Sequence, residues 1–259
     1  MLAPHRFQSL TEVRRAGPYC RNIITDLSKM PLLAIASIFG IFCAYSTVGQ
    51  ASCADRPGPA VDWTGCVRIN RIMTGYDFRN AKLSGVNFAG SDLAGSHFGG
   101  ADLTNATLIR ASFKGADLSK AILTKATMDR ADLSGADLST ARLDKASLKR
   151  ANLTNSHLIG SDLQKADLER AVLTNADMTK TMLQGASFAR ADLRRARFQD
   201  ADLRGARFYL ADLRGTDLSR STGLVQGQLS DACGDETTKL PSALTPPRNW
   251  NCARIEKVD

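Results

Sequence analysis

From Tyr76 to Arg220 the apolar and polar positions repeat every five residues, twenty-nine times, without insertion or deletion. Each unit is centred on Leu (20 units), Phe (7) or Met (2, Met128 and Met178), running Leu83, Phe88, Leu93, Phe98 and so on to Leu218. Two positions before the centre sits a small residue, Ala in 21 of 29 units, and between the two lies Asp or Asn in 15, as in Ala101-Asp102-Leu103 and Ala201-Asp202-Leu203. A five-residue step turns about 140° around an α-helix, so the centres would scatter over every face. In an extended chain residues two apart share a side, which sends Ala and Leu inward and the Asp between them to water. The last two positions of each unit are mostly Gly, Asn, Lys, Arg, Ser and Thr. They suit a corner, and Gly or Asn tolerates the φ > 0 that corners need. Each unit therefore predicts a short strand and a bend.

One such unit cannot bury its apolar side alone; stacked neighbours must supply the core and the two ends need caps. The Ala-(Asp/Asn)-Leu-x-x pattern resembles the pentapeptide-repeat family over about 145 of the 259 residues. The resemblance implies an all-β fold: a right-handed quadrilateral parallel β-helix, four units per coil, filled by Leu, Phe and Ala. The sequence supplies its own sign of four-sidedness. The last positions of successive units read Arg110, Gly115, Lys120, Lys125, then Arg130, Gly135, Thr140, Lys145, then Arg150, Asn155, Gly160, Lys165, and Arg recurs at Arg170 and Arg190. This superperiod of 20 stacks the arginines in one column only if four units make a coil. About seven coils at ~4.8 Å each predict a rod about 34 Å long.

The remaining chain divides into residues 1–51, a signal peptide or N-terminal membrane anchor; 52–75, an N-terminal cap; and 221–259, a C-terminal cap and tail. The leader carries Arg6, Arg14, Arg15, Arg21 and Lys29 against Glu12 and Asp26, followed by an apolar run from Pro31 to Val48. That order reads as export, with cleavage after Ala51 or Ala54 and a periplasmic product. The alternative is an anchor in the inner membrane formed by residues 31–48, although the run is short for a span. Cys20 and Cys43 fall in the leader, and Cys53, Cys66, Cys233 and Cys252 flank the repeats two on each side. In an oxidising compartment the expected pairing, among three connectivities, is Cys53 with Cys66 and Cys233 with Cys252. Zinc is the competing reading, but Cys-x-x-Cys and a nearby His are both missing from the sequence. Trp63 reads as a lid on the N-terminal end of the core, and the stretch from Val225 to Ala232 as a short helix.

No constellation points to catalysis, a cofactor or a metal. His97 and His157 share an outward position but lie three coils apart, about 14 Å, too far to share a proton or an ion. The Asp columns come with the motif. What stands out is charge: Lys and Arg outnumber Asp and Glu 22 to 17 in the repeats. Arg110, Arg130, Arg150, Arg170 and Arg190 form one column, and Lys125, Lys145 and Lys165 a second one corner away. They flank a polar side containing Thr107, Thr127, Ser147, Lys149, Asp167, Glu169 and Ser187. Two readings of these columns stay open: a solvated corner kept basic for solubility, or a strip for an anionic envelope polymer, a lipid surface or another protein. Some relatives in the family mimic DNA and engage type II topoisomerases in the cytoplasm, the rival function, but a positive rod is a poor imitation of a polyanion. With few outward aromatics, Tyr209 the clearest, a base-stacking nucleic-acid surface is not supported either. The expected role is a non-enzymatic scaffold of the cell envelope.

Overall fold

Every fifth residue from Asp62 onward lies at the middle of a short extended side and forms a parallel β-bridge with the residue one coil later. Four rows of bridges result: Asp62–Lys82–Asp102 on to Thr222, Val67–Asn87–Thr107 on to Arg207, Ile72–Asp92–Ser112 on to Cys233, and Asp77–His97–Asp117 on to Lys239. The offset is 20 residues through most of the chain, so each coil has four five-residue sides. The computed structural model describes residues 52–248, 250 and 252. The leader at 1–51, with its export, cleavage and anchor expectations, lies outside the described residues.

The corners explain the motif. In each unit the carbonyl of the central residue accepts the N–H of the next small residue, as Leu103 does from Ala106 at 3.0 Å. This closes a four-residue turn whose third residue is left-handed, φ between 53° and 70° at the corners. The Asp or Asn before the centre ties down the same turn: its Oδ1 accepts the N–H two residues on, as Asp102 does from Thr104 at 2.9 Å. All fifteen Asp and Asn residues at this position in 76–220 make that bond. An Asx turn of this kind favours the bend over continued strand or helix.

Inside, the centres and the small residues are buried from Phe78 to Leu218. Where Ser or Thr replaces Ala, the hydroxyl returns to a backbone carbonyl: Ser96 Oγ to Met73 at 2.7 Å, Thr216 Oγ1 to Leu193 at 2.7 Å. These buried hydroxyls are thus satisfied without breaking the apolar column. The aromatic rings gather near the two ends, with Phe78 stacked on Phe98 at 4.8 Å and Phe188 on Phe208 at 5.3 Å.

The coil starts fifteen residues before Tyr76, within the segment expected as a cap. Trp63 is the first core centre, packed 5.6 Å from Phe78 and buried. At the next centre Arg68 lays its guanidinium 4.1 Å over the Trp63 ring and donates to the Cys53 carbonyl. A disulfide joins Cys53 to Cys66, which itself fills a small-residue position. At the other end the offset lengthens, Asp212 bridging Cys233 and Asp217 bridging Lys239. A single 3₁₀ turn, Gln226–Leu229, takes up the extra residues, shorter than the helix expected over Val225 to Ala232. The Gln228 side chain caps that turn, accepting the Val225 N–H at 2.8 Å and donating to the Leu203 and Ala206 carbonyls. Leu229 is buried under the last coil, and a second disulfide joins Cys233 to Cys252.

Candidate functional site

The Val67 row differs from the other three. Between residues 77 and 217 each of the others carries at least three aspartates, among them Asp117, Asp137 and Asp177 in the Asp77 row and Asp92, Asp132 and Asp192 in the Ile72 row. The Val67 row carries only Asp167, and its other members in the middle of the solenoid are Thr107, Thr127, Ser147 and Ser187. The corner on one edge of this side bears Lys125, Lys145 and Lys165, and the corner on the other bears Arg110, Arg130, Arg150, Arg170 and Arg190. Successive arginines are one rung apart because their backbones are: the Arg110 N–H bonds the Asp129 carbonyl, Arg130 the Lys149 carbonyl and Arg150 the Glu169 carbonyl. A rung is about 4.8 Å, so the five arginines extend over about 19 Å.

These eight cations share their lack of an ion pair with Lys114, Lys120, Lys180, Arg195 and Arg207 among the described residues, and what sets them apart is that they line the two edges of one side; several other basic residues are paired. Arg79, Arg194, Arg204 and Arg214 each sit two positions after an Asp and form ion pairs with it at 2.5 to 2.7 Å. Arg197 reaches Asp177 at 2.6 Å and Arg220 reaches Asp200 at 3.0 Å. Among the described residues none of the eight corner cations has an acidic partner within 4.0 Å. The four acids on the same side are engaged elsewhere or are outnumbered. Asp167 pairs with Lys149 at 3.2 Å, raising the Lys149 pKa above its ordinary value through that hydrogen bond. Asp129 accepts Ser147 Oγ, and Asp144 accepts Thr124 Oγ1. Over the five coil sides from Thr104 to Arg190 there are nine Lys and Arg against Asp129, Asp144, Asp167 and Glu169.

The corner positions add a conformational cost. Arg110, Arg130, Arg150, Lys125 and Lys145 all hold φ between 57° and 59°, a region where a Cβ is unfavourable by about 1–2 kcal/mol and where Gly is relaxed. Other corners in the same conformation carry Gly, as at Gly115 and Gly135. Arg150→Gly is therefore expected to stabilise the fold by about 1 kcal/mol, read as a rise in the thermal midpoint, even though it removes a charged side chain.

The aspartates of the other rows work on the turns. The Arg79 guanidinium beside Asp77 holds its carboxyl down to about 2. Asp62, Asp202 and Asp235 are also lowered, first by hydrogen bonds from Thr64, Arg204 and Thr237. At Asp177 and Asp217 burial pushes upward, but hydrogen bonds from Thr179 and Ser219 and the nearby cations outweigh it. Folded values below the unfolded ones mean stability that is complete above about pH 4 and lost as pH falls through the folded values. The thermal midpoint is expected to be flat from about pH 8 to about pH 5 and to drop steeply below about pH 4. A midpoint that rose on acidification would contradict the turn assignments.

His97 and His157 occupy the Asp77 row at separate rungs, each between two Asp rungs. The one group of potential metal ligands among the described residues is Asp212 with Cys233 and Cys252. Those two cysteines are bonded to each other, so their sulfurs serve the disulfide. No helix among the described residues is long and apolar enough to cross a membrane.

Comparison with known proteins places this geometry. The family described as Pentapeptide repeats matches in eight copies, over residues 72–110, 111–150, 151–188 and 182–220. Comparison with curated proteins gives no match. Among solved structures, HetL of the cyanobacterium Nostoc sp. strain PCC 7120, involved in heterocyst differentiation regulation, is 24% identical with a TM-score of 0.52, over 84% of this chain and 92% of HetL. Rfr23 of Cyanothece 51142 is 32% identical with a TM-score of 0.32, over 36% of this chain and 63% of its own. The fluoroquinolone resistance protein QnrB1 is 18% identical with a TM-score of 0.34, over 77% and 93%. With its five-residue units, its four bridge rows and more than half its length matched, the chain belongs to the pentapeptide-repeat family.

Proposed function

We propose that the protein is a right-handed quadrilateral β-helix, about seven coils over residues 76–220, that acts without catalysis. In this reading it is an interaction scaffold of the bacterial cell envelope, exported to the periplasm, that binds an anionic partner along the side edged by the Arg110–Arg190 and Lys125–Lys165 columns. The observation that carries the reading is the set of eight corner cations without acidic partners within 4.0 Å among the described residues, set on the two edges of a row that holds Thr107, Thr127, Ser147 and Ser187 and a single aspartate, Asp167. Stacked like charges about 4.8 Å apart repel one another, and an external anion relieves that repulsion. Aspartates that an enzyme could use are committed to turn N–H groups, which supports a binding role over a catalytic one. The two cap disulfides suit an oxidising compartment. A DNA-mimicking, topoisomerase-binding role fits poorly, because such mimicry requires a negative rod.

Two measurements test the two halves of this proposal. N-terminal sequencing of the processed protein is expected to begin after Ala51 or Ala54; a cytosolic chain retaining Met1 would overturn the export half. Binding to an anionic polymer is expected to weaken as salt is raised from about 0.05 to about 0.5 M, where screening shortens to a few ångströms. Binding unaffected by salt would return the columns to a solubility role.

A further inference from the structure

The anionic partner's chemistry can be read further, resting on the basic-strip reading above. We infer that the strip takes a linear carboxylated polysaccharide, a chain of uronic acid sugars, laid parallel to the solenoid axis.

Three features converge on this class. First, the cations recur at one per rung, about 4.8 Å, in straight columns on both edges of the side. An extended sugar polymer advances by about one ring per such step and presents one carboxylate per ring, so its charges can meet successive guanidinium groups. Arginine forks match carboxylates with paired hydrogen bonds, and these forks have no acidic partner of their own within 4.0 Å among the described residues. Second, the floor between the columns is hydroxylated: Thr107, Thr127 and Ser147 stand on consecutive rungs. Short hydroxyl side chains both donate and accept, which suits the mixed donors and acceptors of a sugar, whereas a bare phosphate chain can use only their donors. Third, Tyr209 is 52% exposed at the end of the arginine column, its carbonyl accepting the Arg190 N–H at 2.7 Å. One exposed aromatic face beside cations is a stacking platform for the C–H face of a terminal sugar ring.

The same features disfavour the other anionic surfaces. A single tyrosine is too little for nucleic acid, where successive bases stack on successive aromatics. A bilayer surface rewards apolar side chains next to the cations, whereas on the five rungs that carry the columns Ile109 is the single exposed large apolar residue.

The test uses the purified exported chain and three polyanions at equal charge concentration, polygalacturonate, inorganic polyphosphate and vesicles of phosphatidylglycerol, with neutral dextran at equal mass as a blank. Polygalacturonate is expected to bind best. The triple variant Arg130→Gln, Arg150→Gln, Arg170→Gln is expected to weaken it about tenfold or more. The variant Thr107→Val, Thr127→Val, Ser147→Ala, and separately Tyr209→Ala, are each expected to weaken polygalacturonate several-fold and to weaken polyphosphate less; equal losses for the two polymers would count against the polysaccharide class. Unaltered thermal midpoints establish that these surface variants fold. Polyphosphate or vesicles bound as tightly as polygalacturonate would overturn the polysaccharide class and leave the basic strip standing. If no polyanion binds, both the polysaccharide and the strip fall.

Discussion

Ala121→Asp is expected to unfold the protein or lower its stability by at least about 4 kcal/mol, whereas Ile122→Asp, one residue on, is expected to be neutral or slightly stabilising. Ala121 is completely buried in the core, and an aspartate there would place a carboxylate among leucines with no partner. Ile122 points outward in the Asp62 row, between Asp102 and Arg142. An aspartate at 122 would restore the Ala-Asp-Leu pattern, accept the Thr124 N–H as its neighbours do for their own turns, and face Arg142 on the next rung. Two adjacent substitutions to the same residue thus have opposite outcomes. Chemical denaturation of both variants reads the difference directly; equal destabilisation would mean that the alternation of sides is wrong at this unit.

The second large effect is expected at the C-terminal end. Replacing Cys233 and Cys252 together with Ala should cost about 3 kcal/mol, the usual value for opening a loop of this size, and lower the midpoint by about 6–12 °C. Reductant should lower the wild-type midpoint in the same direction and have a smaller effect on the double variant. The disulfide holds the tail against the last coil, where the Trp250 indole packs so closely on Gly234 that a methyl at Gly234 would overlap the ring. Its loss therefore exposes the end of the core under Leu229 as well as freeing the tail. A double variant with an unchanged midpoint would show that the cap contributes nothing to the solenoid.

Much of the fold was legible in the sequence because the repeat is so regular. The inward and outward alternation followed from spacing alone, and the recurrence of Arg at Arg110, Arg130 and Arg150 gave four sides. The first coil was not legible, because its positions break the rule: Arg68 stands where a Leu or Phe is expected, and Cys66, Arg71 and Tyr76 where Ala is expected. Those exceptions make sense only with the contacts in view, Arg68 stacking on Trp63 and Cys66 bonding to Cys53. The 3₁₀ turn at Gln226–Leu229 was misjudged in length because its cap is a side chain from inside the turn, Gln228, rather than a hydroxyl before it. The aspartates were read as outward, but their work on the turn N–H groups lies in geometry that alternation does not reveal.

The candidate strip was legible as columns and illegible as chemistry. Composition could not distinguish Arg194, which sits beside Asp192, from Arg150, which has no acidic partner within 4.0 Å among the described residues. Nor could it show that Arg150 occupies a left-handed corner where Gly would be relaxed. A basic residue two places after the Asp can fold back onto it, as Arg194 does on Asp192, and the next place is the left-handed corner that Arg150 occupies.

The most direct test of the basic strip compares two triple variants that remove the same charge. Arg130→Gln, Arg150→Gln, Arg170→Gln takes three cations from the arginine column. Lys120→Gln, Lys180→Gln, Arg195→Gln takes three from other corners with the same left-handed backbone. Affinity for polygalacturonate at low salt is expected to fall about tenfold or more in the first variant and to change less than about twofold in the second. Equal losses in the two would contradict the account, because binding would then follow net charge and not the strip.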